Sequence, residues 1–234
     1  MENWTGNLSA TKLASPCIQY SHTSSYPNYE IIGDEDCLYL NVYVPIVSRI
    51  KPLPVLFTIH GGAFQFGKPY TGVEFLMDKD VIVVTIGYRL SSFGFLSTED
   101  EIVPGNMGLK DQNLGLKFIS NNIEYFGGDP AKITLIGHSA GAASVHYHYL
   151  SPMSRGLFQN GLSFSGGALG PGKQTENSRE KAFRLASILG CPTRDVSVMI
   201  ECLRYRPARS VAKATRHFMV ITFFIIDKSK RIVL

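Results

Sequence analysis

The stretch Gly137-His138-Ser139-Ala140-Gly141 constrains this chain more than any other. It follows the apolar run Ile133-Thr134-Leu135-Ile136 and leads into the helix-compatible segment from Ala142 to Leu150. That is the strand, tight turn, helix context of a nucleophile elbow. Such a turn pushes its serine out at the carboxyl end of a sheet strand, and glycines flank it because side chains on both sides would collide. The pattern predicts an α/β fold in which Ser139 is the nucleophile of an acyl transfer.

A serine of this kind needs donors for the developing oxyanion and a base to take its proton. The backbone N–H of Ala140, one residue beyond the serine, is the first expected donor. The second set is expected from His60-Gly61-Gly62-Ala63-Phe64, which follows an apolar run ending at Ile59; Gly62 and Ala63 are the residues singled out there. No base is assigned. His138 diverges from its neighbour on a sharp turn and reads as a lining residue, while His146 and His148 fall on the following helix, below the hydroxyl. His60 reads as structural, and His22 and His217 lie in segments without a motif. Elbow hydrolases place serine, acid and histidine in that order, but Glu176, Glu180, Asp195 and Glu201 sit in helical patterns and read as solvated faces. No triad acid is assigned either.

The rest of the chain alternates between strand and helix signals. Leu38 to Val44, Val55 to Ile59, and Val81 to Ile86 read as strands, the last two as central parallel strands covered on both faces. Leu109, Leu116, Ile119, Ile123 and Phe126 recur at helical spacing before the turn Gly127-Gly128-Asp129-Pro130. Leu162-Ser163-Phe164-Ser165 reads as a further short strand; Ala182, Leu185, Ala186 and Leu189 mark a helix that Gly190 ends, and helix is expected on to about Thr215. The alternation predicts a single α/β unit.

At 234 residues and 44% hydrophobic content the chain can bury a sizeable core. Its net charge of +4 is diffuse except at Arg204, Arg206, Arg209, Lys213 and Arg216, which read as a solvated helix face because no nucleic-acid module accompanies them. No metal or other cofactor and no nucleic-acid partner is expected. No apolar run approaches the ~20 residues of a bilayer span. Four cysteines permit three pairings, of which the local one, Cys17 with Cys37 and Cys191 with Cys202, is the simplest. Paired cysteines, with the glycosylation patterns at Asn3 and Asn7, point to an oxidising, secretory route, whereas Met1 to Gly6 shows no signal-peptide pattern.

With these residues in view, the sequence strongly resembles the type-B carboxylesterase family of α/β hydrolases, most closely its insect carboxylesterases. Glu35-Asp36-Cys37-Leu38-Tyr39-Leu40-Asn41-Val42-Tyr43 is similar to one family signature, His60 to Phe64 to its oxyanion loop, and Gly137 to Gly141 to its nucleophile motif. Asn106 to Gln112 and Phe126 to Pro130 resemble the segments that precede the nucleophile strand, and Asp111 reads as fixing a helix. The resemblance implies a partial α/β-hydrolase fold, a mostly parallel sheet flanked by helices with the C-terminal half missing. It implies Cys17–Cys37 and Cys191–Cys202 disulfides, a small carboxylic ester as substrate, an acyl-Ser139 intermediate, and a full-length parent that is secreted or resident in the ER lumen. Family members are longer, and their acid and histidine lie beyond a tail, from about residue 218 to 234, that does not resemble the family. Very low turnover is therefore expected of this chain alone; a non-catalytic binding or adhesion relative and a non-functional truncated isoform are the alternatives.

Overall fold

The computed structural model describes residues 6, 9–21, 30–46, 51–69, 72–169 and 177–218. Asn3, Asn7 and the tail from 219 lie outside the described residues. Two short strands, β1 (Gln19–Tyr20) and β2 (Ile31–Ile32), pair antiparallel near the N-terminus. The main sheet holds β3 (Leu40–Tyr43), β4 (Leu53–Ile59), β5 (Ile82–Ile86), β6 (Gly128–His138) and β7 (Asn160–Phe164) in the order β3-β5-β4-β6-β7. Only β3 runs antiparallel; the other pairs are parallel.

Composition explains these places. All five residues of β5 are buried, as a strand covered on both faces requires. In β4, Leu53, Val55, Phe57 and Ile59 are buried, while the side chains between them are half-buried or exposed. The strand β6 is longer than its apolar run: Gly128, Asp129 and Pro130, expected in a turn, already belong to it because Gly128 pairs with Leu53 of β4, and Ala131 and Lys132 continue it. Its pairing with β4 shifts between Leu53 and Val55, across Pro54, which has no N–H to give the ladder.

The helices are α1 (Ser91–Phe95), α2 (Met107–Asn122), α3 (Ala140–Leu150), α4 (Ser178–Ile188), α5 (Val196–Arg204) and α6 (Ala208–Ala214). A 3-10 turn, Ile123–Phe126, continues α2, and another, Thr215–Phe218, ends the described chain. Leu116, Ile119 and Ile123 join Val55, Phe57, Ile82, Val84, Ile133, Leu135 and Val145 in the main core. A second cluster forms from Ala182, Ala186, Cys191, Met199 and Ile200. Asp195, which the sequence pattern assigns to a solvated face, caps α5 by accepting from the Val198 N–H at 2.9 Å. Arg209 is not merely solvated either, since its Nη2 donates to the Ile31 carbonyl of β2 at 3.0 Å.

Disulfides join Cys17 to Cys37 and Cys191 to Cys202. The first lies within the main core and the second closes the connection from α4 to α5.

Three consecutive polar residues of α2 face inward. Asp111 accepts from the Arg89 backbone N–H at 3.1 Å, from its Nε at 2.8 Å and from its Nη2 at 2.7 Å. The Asp111 carboxylate is 6% exposed, against 39% for the Arg89 side chain. Next to it, Gln112 Oε1 accepts from His148 Nε2 at 3.1 Å, and Ser154 Oγ donates to His148 Nδ1 at 2.8 Å. Asn113 Nδ2 in turn donates to Ser154 Oγ at 2.9 Å. A neutral imidazole, donating from Nε2 and accepting at Nδ1, satisfies both contacts and ties α2 to α3.

Two predictions come from this polar interior. Asp111→Ala strands a half-desolvated guanidinium and is expected to cost about 2 kcal/mol of stability, read from urea unfolding midpoints; a loss under about 0.5 kcal/mol would show the pair to be idle. Burial pulls His148 down to about 4, and His60, stacked on Tyr88 at 4.4 Å, is also pulled down to about 4 by desolvation. The unfolded chain takes these protons near pH 6.5. Between about 6.5 and 4 it binds more protons than the folded chain, so stability present above 6.5 falls as pH is lowered. His148→Asn is expected to reduce that slope by about half, His60 supplying the remainder; an unchanged slope would rule the mechanism out.

Candidate active site

Ser139 stands between β6 and α3 with φ 56° and ψ −114°. That positive φ is unfavourable for a residue with a Cβ, and surrounding contacts hold it. Its N–H donates to the Phe164 carbonyl of β7 at 2.9 Å, and its own carbonyl accepts from the Ala143 N–H at 3.0 Å. A Cβ on Gly137 would sit 2.1 Å from the Gly141 carbonyl oxygen, and one on Gly141 would sit 2.1 Å from the Ile59 carbonyl oxygen. Both glycines are therefore demanded by backbone meeting backbone, and they let α3 start directly over the end of β4. Ala140, wholly buried, is the first residue of α3, where an amide has no intrahelical acceptor.

The loop after β4 comes against this turn. A Cβ on Gly61 would lie 2.6 Å from the His138 carbonyl oxygen and 3.3 Å from Ser139 Cβ. Three successive residues, Gly62, Ala63 and Phe64, have positive φ of 111°, 54° and 60°. The Gly62 carbonyl accepts from the N–H groups of Gln65 at 2.8 Å and Phe66 at 3.0 Å, turning the loop back on itself. Phe64 is held from the other side: its carbonyl accepts from the Ser91 N–H at 2.7 Å, and its ring packs on Phe95 at 5.0 Å. Gly61 is thus the point at which this loop meets the turn at Ser139, with Gly62 and Ala63 following it in the chain and Ala140 following the serine.

His60 anchors the loop. Its Nδ1–H donates to the Gly61 carbonyl at 2.8 Å, and its carbonyl accepts from the Tyr88 hydroxyl at 2.9 Å. The Gly61 carbonyl belongs to the same peptide unit as the Gly62 N–H, so this bond fixes the direction in which that amide points. At the far end of the loop, Gln19 brackets Gly67, accepting from its N–H at 2.8 Å and donating to its carbonyl at 2.9 Å. Neither Gln19 nor Tyr88 carries a local sequence signal for this task.

Among the described residues, no hydrogen bond joins a histidine to Ser139 Oγ. His146 Nδ1 accepts from the Ala168 N–H at 3.1 Å, holding the segment after β7, and His217 Nε2 accepts from Arg216 Nε at 3.3 Å. His138 is exposed, and His148 is bound into the α2–α3 network. The site brings a serine at positive φ, the start of α3 and the glycine loop after β4 together at one end of the sheet.

Comparison with known proteins agrees with this architecture. The model of the carboxylesterase family matches residues 1–231. The chain is 53% identical over 221 residues to venom carboxylesterase-6 of Apis mellifera, covering 94% of this chain and 40% of that protein. It is 46% identical over 224 residues to juvenile hormone esterase of Tribolium castaneum (93% and 38%), and 44% identical over 225 residues to esterase FE4 of Myzus persicae (94% and 39%). The chain spans about two-fifths of the length of these relatives. Its mixed, mostly parallel sheet with flanking helices is a partial α/β-hydrolase fold. The chain belongs to the carboxylesterase family.

Proposed function

We propose that this chain supplies the nucleophile and oxyanion donors of a serine esterase that hydrolyses small carboxylic esters. The observation that carries the reading is the contact of Gly61, in the loop after β4, with Ser139, a residue held at φ 56° where β6 turns into α3. In the proposed reaction Ser139 Oγ attacks the ester carbonyl carbon as its proton passes to a base. The carbonyl oxygen, now anionic, takes hydrogen bonds from the Gly62, Ala63 and Ala140 amides. Collapse expels the alcohol and leaves an acyl-Ser139, which water hydrolyses to the acid. The acid and base come from outside the described residues, which fits the absence of a bonded histidine at Ser139 among those residues. The esterase names of the relatives support the substrate class. A secretory route is supported by the two disulfides. No helix among the described residues is long and apolar enough to cross a membrane.

A fluorophosphonate probe tests the proposal. Labelling of this chain is expected to be slow, confined to Ser139 by peptide mass spectrometry, absent in Ser139→Ala, and accelerated by added imidazole acting as an external base. Equal labelling of Ser139→Ala would overturn it. The oxyanion assignment has its own test: in Gly62→Ala the new Cβ would fall 1.8 Å from the Phe66 carbonyl oxygen, at a φ of 111°. The variant is expected to keep its circular dichroism spectrum and lose about 100-fold in labelling rate. An unchanged rate in a folded variant would remove Gly62 from the donor set.

A further inference from the structure

The two disulfides occupy unlike surroundings. Cys17 and Cys37 are 4% and 3% exposed and lie within the main core, closed to any reagent in the folded chain. Cys191 is also buried, at 6%, but Cys202 is half-buried and forms part of the wall of an open groove along α5, with Ser197, Val198, Glu201 and Tyr205. Arg206 lies across this bridge. Its Nε donates to Cys191 Sγ at 3.4 Å, and its Nη2 approaches Cys202 Sγ at 3.5 Å while donating to the Gly190 carbonyl at 3.0 Å. A neutral disulfide gains little from a guanidinium. A thiolate gains a great deal, because the cation stabilises the charged form and makes that sulfur the better leaving group.

Attack on a disulfide runs along the sulfur–sulfur axis, from the side opposite the departing sulfur. The groove opens on Cys202, so Cys191 is the sulfur that departs, and Arg206 Nε already points at it. We infer that Cys191–Cys202 is a thiol–disulfide exchange site that accepts a small thiol on Cys202. In the first step a thiolate forms a bond to Cys202 Sγ as the Cys191–Cys202 bond breaks, and the electron pair stays on Cys191 as a thiolate beside Arg206. A second molecule of thiolate then attacks the mixed disulfide at the sulfur of the small thiol. It releases the oxidised small-molecule disulfide and leaves Cys202 as a thiolate, which takes a proton from solvent. The two electrons that reduce the bridge come from the two thiol molecules. The cluster around Ala182, Ala186, Met199 and Ile200 then loses its covalent clip, while the main core keeps Cys17–Cys37.

The test incubates the native chain with reduced glutathione, quenches with iodoacetamide and maps each cysteine by peptide mass spectrometry. The expected early product carries glutathione on Cys202 and carbamidomethyl on Cys191, with Cys17 and Cys37 still joined. Arg206→Gln is expected to slow adduct formation about tenfold without changing the urea midpoint, and Arg206→Lys to restore part of the rate. A purely structural role for Arg206 would instead lower the midpoint and speed the exchange by loosening the bridge. Reduction of Cys17–Cys37 at the same rate, glutathione on Cys191 in place of Cys202, or an Arg206→Gln rate equal to that of the native chain would each overturn the inference. The cysteine map of the native chain decides the first two outcomes even where the variant fails to fold.

Discussion

The close passage of α3 over the end of β4 is the contact on which the rest of the site depends. At Gly141 the helix backbone lies against the Ile59 carbonyl, and at Gly137 the strand backbone lies against Gly141. Because β4 and β6 are parallel neighbours, with Ile59 opposite Gly137, the two chain exits leave the sheet at the same level. One exit becomes the turn at Ser139 and the other the loop from His60 to Gly67. Their meeting is a result of strand register, and the glycines only remove the atoms that would keep them apart.

Much of this was legible from residue pattern. Strands such as β5 and the middle of β6 are short apolar runs bounded by turn residues; Ile82 to Ile86 is buried on both faces, and Ile133 to Ile136 is buried on one and half-buried on the other. The elbow was legible because backbone crowding demands glycine at fixed offsets. The polar interior was not. Asp111 reads as fixing a helix but names no partner, Gln112 and Asn113 carry no signal of their own, and the three are held by Arg89, His148 and Ser154, each 22 to 41 residues distant. The same holds for Gln19, whose partner Gly67 is 48 residues away. Local periodicity reports which face is apolar and carries no information about a distant hydrogen-bond partner.

The basic segment near the end of the described chain shows the same limit from another side. Arg204, Arg206, Arg209, Lys213 and Arg216 form a charge run, and composition alone treats them as equivalent. In the folded chain Arg209 reaches a carbonyl of the small sheet, Arg206 lies across two sulfurs and Arg216 donates to His217. Long side chains with polar heads do two things at once, covering apolar surface with the stem and choosing a partner with the tip. Which partner each finds is set by its place in the fold and not by charge, Arg206 lying in the connection between α5 and α6 and Arg209 in α6.

The last strand ties local geometry to the margin of the sheet. Among the described residues β7 has no neighbour on its outer side, and Leu162 and Phe164 stand 46% and 50% exposed. Yet Phe164 is the residue whose carbonyl holds the Ser139 amide. A strand that docks on this margin would stiffen the support of that carbonyl, and fraying of β7 would release the turn from one side. A serine at positive φ is thus braced by a mostly exposed strand, so the alignment of Ser139 reports directly on how well the sheet edge is filled.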